Sequence, residues 1–118
     1  MAAKDELGRR GEELAAQWYE RNGYAILARN WRCRAGELDL VVRREQTTAF
    51  VEVKTRTSVA YGHPFEAITA AKAARLRRLA AEWCQAEGPV AGDLRIDAVA
   101  VIDAWSEAPS VERLEGVA

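Results

Sequence analysis

The stretch ELDLVVRREQTTAFVEVKTR, Glu37 to Arg56, leaves few folds open. Two runs rich in Leu, Val and Phe flank a short polar connection, REQT (Arg44–Thr47), which has a common hairpin length. Side chains alternate faces along a strand. Over residues 37–43, Glu37 and Asp39 therefore share one face, and Leu38, Leu40 and Val42 take the other. Over 48–56, Glu52, Lys54 and Arg56 share a face, with Val51 and Val53 opposite. If REQT is a four-residue loop, Arg43 pairs with Thr48. Asp39 then lies across from Glu52, and Glu37 across from Lys54. Carboxylates set directly opposite each other repel. A proton on one of them, a bridge from Lys54, or a cation between them would relieve that repulsion.

The cation is the informative case. Carboxylate oxygens are hard ligands that suit Mg²⁺ or Mn²⁺, with carbonyls and waters completing the shell. A charged Lys54 cannot be a ligand. It can orient or help deprotonate a water, or stabilise an oxyanion as charge builds. Such a set suits attack of water on a phosphodiester. The plainer reading is a solvated sheet face, where Glu–Lys pairs are common and two facing acids can be coincidence. Apolar residues bracket the charges on both strands, however, and charges at the middle of a sheet need a reason.

Around this hairpin the chain reads as one α/β domain of 118 residues, with a core from about 5 to 103. A first helix is expected from Asp5 to Asn22, stopped by Gly23, burying Leu7, Gly11, Leu14, Ala15 and Trp18. On it Glu13 points to solvent, while Glu12 lies at the edge of the buried stripe, with Gly8 one turn earlier. A strand is expected over 24–30, ahead of the two already described. A loop at YGHP (61–64) precedes a second helix, from a Thr69 N-cap to Gly88, that buries Ala73, Leu76, Leu79, Ala80 and Trp83. A last clear strand covers 94–102, and the loosely specified tail, 104–118, can add an edge strand at VERLEG (111–116). The order α-β-β-β-α-β predicts a sandwich with a mixed sheet.

Charge narrows the partners. The net charge is -1, which argues against a generally basic nucleic-acid binder. Its layout is uneven: residues 1–60 carry 11 Lys/Arg against 9 Asp/Glu, and 79–118 carry 2 against 8. A local polyanion-binding face fits the first half. Cys33 and Cys84 lack metal-ligand spacing and read as reduced thiols of a cytoplasmic protein. No apolar run approaches the roughly 18 residues of a membrane span, and the charged MAAKDELGRR is no secretory signal.

The strings GRRGEELAAQWYERNGY, GELDLVV, FVEVKTR, YGHPFEAITAAKAARLRRLA and LRIDAVAV together closely resemble the bacterial YraN family, over roughly Gly8 to Val101. That family is similar to archaeal Holliday-junction resolvases and to the PD-(D/E)XK nuclease superfamily. The resemblance implies a restriction-endonuclease-like three-layer α/β/α sandwich with a central mixed β-sheet. It implies a Mg²⁺- or Mn²⁺-dependent nuclease acting on DNA, branched DNA included. It places the metal-binding acids on Asp39 and Glu52, the motif lysine on Lys54 and the helix acid on Glu12, which follows Gly8 in G-x-x-x-E. Glu37 belongs to the GELD string and is an accessory candidate. Resolvase-like relatives act as dimers, so a homodimer is expected. A silent nucleic-acid-binding module of the same fold is the alternative.

Several basic residues are candidates for contact with nucleic acid. Lys72 sits in the first turn of the second helix, where a cation opposes the helix dipole unless a carboxylate or phosphate is near. Arg75 follows on that helix, Arg32 and Arg34 lie with Trp31 in RNWRCR, and Arg56 is on the charged face. For each the plain alternative is a solvated or rim-packing residue. His63 reads as a loop or capping residue, and Asp97 as a structural ion pair with a cation.

Overall fold

In a computed structural model, the structure describes residues 3–60, 62–88 and 90–117. Tyr61 of the expected YGHP loop lies outside them. Helix α1 (Ala3–Arg21) is followed by strands β1 (Ala25–Cys33), β2 (Gly36–Arg44) and β3 (Thr47–Arg56). A short 3-10 helix (Pro64–Ala67), helix α2 (Ala70–Glu87) and strands β4 (Asp93–Ile102) and β5 (Ser110–Leu114) complete the chain. The sheet has spatial order β1-β2-β3-β4-β5, with β3 and β4 parallel and the remaining neighbours antiparallel. A mixed sheet is what the order of elements dictates. Short loops join antiparallel neighbours, whereas β3 reaches its parallel partner through a helix.

Each helix covers one face. Leu14, Ala15, Ala16 and Tyr19 of α1 pack on Leu40, Val42, Val51, Val99 and Val101. On the other face Leu76, Leu79, Ala80 and Trp83 of α2 pack on Leu38, Val41, Phe50 and Ile96. The Thr69 hydroxyl accepts the Lys72 N–H at the start of α2, and Gly88 ends that helix at φ 96°. No described helix is long and apolar enough to cross a membrane. Both cysteines are free thiols.

The hairpin loop has two residues instead of four. Arg44 pairs with Thr47 across Glu45–Gln46, with Glu45 in left-handed backbone at φ 53°. One residue moved from each side of the loop into the ladder, so Arg43 still pairs with Thr48.

The expected parity of β2 fails at its most important point. Leu40 and Val42 face α1, but Leu38 packs with the α2 core. Between the pairs Arg29–Leu40 and Trp31–Leu38, the Asn30 and Asp39 backbones form no ladder pair, and Asn30 has φ 51°. This left-handed residue kinks β1, and β2 turns over at Asp39 beside it.

The tail is tied down. Asp97 is fully buried on β4, where Arg95 donates to both its oxygens at 2.8 and 2.9 Å. The Tyr19 hydroxyl donates to it at 2.8 Å and the Gly116 N–H at 3.2 Å. Arg95 and Arg113 both donate to the Tyr24 hydroxyl. The structural ion pair expected for Asp97 is therefore present. It also explains why Tyr19, outside the expected stripe, is fully buried: its hydroxyl has a fixed acceptor.

Candidate active site

The strand ladder between β2 and β3 stops at Leu40–Val51. Beyond that point the two strands part, and the Asp39 carboxylate fills the opening by accepting the Val53 N–H at 2.7 Å. Asp39 and Glu52 thus lie across the gap between the strands without forming a ladder pair. Glu37 is not opposite Lys54 either. Its Cα partner is Arg32 on β1, and Arg32 Nε meets its carboxylate at 2.6 Å. The parting of β2 from β3 just past Asp39 is the reason.

Helix α1 brings a third acid. Gly11 is buried against β3 so closely that a Cβ would collide with the Thr55 side chain. That approach delivers Glu12 to the sheet. Gly8, by contrast, has open space around it, so its missing side chain relieves no crowding. Glu12, Glu37 and Asp39 offer carboxylate oxygens that all lie within 4.8 Å of one another. Glu13 points elsewhere and pairs with Arg29 at 2.6 Å.

Burial and crowding decide the charge state. Burial pushes Asp39 up from 3.8 to about 8, and Glu52, Glu12 and Glu37 add to the rise while the Val53 N–H opposes it. Glu12 is also raised, first by burial and then by Glu37 and Glu52, against contacts with Asp39 and the Asn30 side chain. Without a cation the cluster therefore holds on to a proton near neutral pH.

Glu52 and Lys54 form the second half of the site. Lys54 Nζ lies 3.0 Å from Glu52 Oε1. Their Cα partners on β4 are Ala98 and Ala100, both fully buried, whose methyl groups take little space beside them. Burial works to lower the Lys54 pKa, but contacts with Glu52 and Lys72 outweigh it and the net shift is upward. Lys72, reaching in from the first turn of α2, is shifted down by its contact with Lys54. Of the two amines, Lys72 gives up its proton first.

A cavity of about 250 Å³ runs beside these groups, lined by Leu7, Gly8, Glu12, Val53, Lys54 and Arg56. Arg56 is exposed at the end of β3, and Arg75 is exposed on α2 near Lys72. Arg32 and Arg34 are exposed at the β1–β2 connection, with Arg32 held by Glu37. Trp31 is partly buried against the α2 core. His63 caps the 3-10 helix by accepting the Phe65 N–H at 3.1 Å, and its other ring nitrogen meets Glu112 at 2.9 Å. Asn30 is the site residue that sequence reasoning missed. Only its positive φ, a property asparagine tolerates, sets it apart.

The donor set suits a divalent ion. Glu12, Glu37 and Asp39 would hold it, since an oxygen from each lies within 4.8 Å of the other two. Glu52, turned toward Lys54, would have to loosen that pair to become a ligand.

Comparison with known proteins agrees in one direction. The sequence pattern of the family described as "Uncharacterised protein family UPF0102" matches residues 11–101. A UPF0102 protein of Leifsonia xyli is 58% identical over 117 residues, covering 99% of both chains. UPF0102 proteins of Clavibacter michiganensis and Beutenbergia cavernae are 54% and 53% identical, over 95% and 99% of both chains. The chain belongs to the UPF0102 family, the YraN-like proteins that its motifs resemble.

Proposed function

We propose that this protein is a divalent-metal-dependent phosphodiester hydrolase acting on DNA, built on a restriction-endonuclease-like sandwich. The observation that carries the reading is the meeting of Glu12, Glu37 and Asp39 within 4.8 Å, at the point where β2 leaves β3 and next to the Glu52–Lys54 pair. Half-buried acids this crowded are relieved by a proton or a cation, and the hard oxygen set favours Mg²⁺ or Mn²⁺. The antiparallel β1-β2-β3 meander, the parallel β4 and a helix on either face support the fold assignment.

Asp39 and Glu12, with Glu37, would hold the ion. When bound, it supplies Lewis acidity toward a phosphate oxygen and lowers the pKa of water. Lys54, kept charged by Glu52, donates a hydrogen bond to phosphate oxygen as negative charge builds there. Lys72 adds a second donor on the same side, and Arg56 sits at the cavity rim where a neighbouring phosphate would pass.

The test is incubation of the protein with labelled linear, single-stranded and four-way-junction DNA in Mg²⁺ or Mn²⁺. Cleavage should appear in the wild type and vanish in Asp39→Asn and Lys54→Ala. Cleavage that survives both substitutions overturns the assignment. Tight binding with no cleavage by the wild type, in any metal, favours the binding-module alternative.

A further inference from the structure

Trp105 is the most exposed of the large apolar residues described, at 65%. The turn that carries it is firmly held. Asp103 has left-handed backbone at φ 58°, and its N–H donates to the Arg56 carbonyl at 2.9 Å. Ala104 is buried, and its carbonyl accepts from Arg10 Nε at 3.3 Å. Ser106 closes the turn, its N–H and its hydroxyl both donating to the Asp103 carbonyl, at 3.1 and 2.9 Å. An indole on a fixed turn is presented to solvent without a large entropy penalty for whatever stacks on it.

The anchors say where the turn stands. Arg56 ends β3, two residues past Lys54, and lines the cavity that also contains Glu12 and Lys54. Arg10 lies on α1, two residues before Glu12. The turn is therefore fastened through the Arg56 carbonyl to the end of β3, at the cavity, and through the Arg10 guanidinium to α1. An exposed aromatic with cations beside it is the chemistry that holds single-stranded nucleic acid. A protein-docking patch would need contiguous apolar surface, whereas the next residues here are Ser106 and Glu107. Trp31, the aromatic of the RNWRCR cluster, is partly buried against the α2 core.

We propose that Trp105 stacks on an unpaired base of the DNA substrate while adjacent phosphates meet Arg10 and Arg56. This rests on the phosphodiester-hydrolase reading and narrows it to substrates with an unpaired base beside the cut, such as a branch point or a single-stranded flap. Base–aromatic stacking makes the expected loss on truncation about tenfold or more in affinity.

The experiment uses the full chain with Ca²⁺ in place of Mg²⁺ and fluorescein-labelled duplexes, one blunt and one with a single-stranded flap. Trp105→Ala should bind the flap duplex ~10-fold more weakly than wild type and the blunt duplex equally well. Trp105→Phe should retain flap binding, and unchanged melting curves would show that both variants fold. An equal loss on both duplexes, or no loss on either, overturns the proposal. So does a wild-type dimer that Trp105→Ala turns into a monomer in sedimentation, since the ring would then belong to a self-interface. Wild type that binds neither duplex defeats this inference and the hydrolase reading together. Wild-type flap binding untouched by Trp105→Ala defeats the stacking role alone.

Discussion

The Asp39 carboxylate accepts the backbone N–H of Val53 at 2.7 Å, taking the place of a strand ladder that has just ended at Leu40–Val51. One side chain thereby holds the two strands apart and satisfies the amide that their parting exposes. The same carboxylate has Glu12 and Glu37 within 4.8 Å. Structure and chemistry compete at this residue, and the consequences can be measured.

Asp39→Asn should stabilise the metal-free protein at pH 8 and abolish stabilisation by Mn²⁺. The amide oxygen can still accept the Val53 N–H, so the hydrogen bond survives and the charge goes. The sign with pH follows from the raised Asp39 pKa, about 8 in the fold against 3.8 ordinarily. The unfolded chain ionises first, so the native state loses stability as pH climbs from about 4 toward 8 and regains it on acidification. Glu12 shifts the same way and adds to the slope. Thermal melts in EDTA across this range should show the wild type falling relative to Asp39→Asn. Parallel curves would refute the charge argument.

Arg32→Ala should tighten Mn²⁺ binding. Arg32 Nε competes for Glu37 at 2.6 Å, yet its side chain is 80% exposed, so the pair itself contributes little to folding. Removing it frees Glu37 for the cation, by a factor of roughly two to five, the ~0.5–1 kcal/mol of an exposed pair. Calorimetric titration reads the change. Weaker binding in the variant would mean that Arg32 holds Glu37 in the productive position.

Gly11→Ala should destabilise the protein by about 1–3 kcal/mol, the usual cost of overpacking. The added Cβ meets the Thr55 side chain, and α1 must back away from β3. Thr55→Ala in the same chain should recover part of the loss, because two of the three clashing atoms disappear. Additive denaturation energies for the two substitutions would contradict a direct contact.

Asp97→Ala should cost about 3–5 kcal/mol, the penalty for leaving one partner of a buried ion pair alone. Arg95 and the Tyr19 hydroxyl both lose their acceptor. The urea midpoint should fall sharply. A variant as stable as wild type would mean that water replaces the carboxylate without difficulty.

The hairpin was legible because its register depends only on where polar residues interrupt the apolar run. Shortening the loop from both sides left Arg43 opposite Thr48. Glu12 could be told from Glu13 because helical geometry is regular over three turns. Strand alternation puts Leu38 on the wrong face, since its true face depends on the left-handed Asn30 in the neighbouring strand, a tertiary cause without a local signature. For the same reason alternation sets Glu37 across from Lys54, whereas it meets Arg32, Glu12 and Asp39. Tyr19 and Trp105 exchanged the roles their types suggest: a hydroxyl is fully buried because Asp97 waits for it, and an indole stays in water on a fixed turn.

The central claim is that one hard cation relieves the crowding of these acids. Diffraction from a crystal soaked in Mn²⁺ tests it most directly, by anomalous scattering at the metal's edge. An ion bonded to Asp39 and to Glu12 or Glu37 is the expected result. A saturating soak that leaves those oxygens without a peak would contradict it.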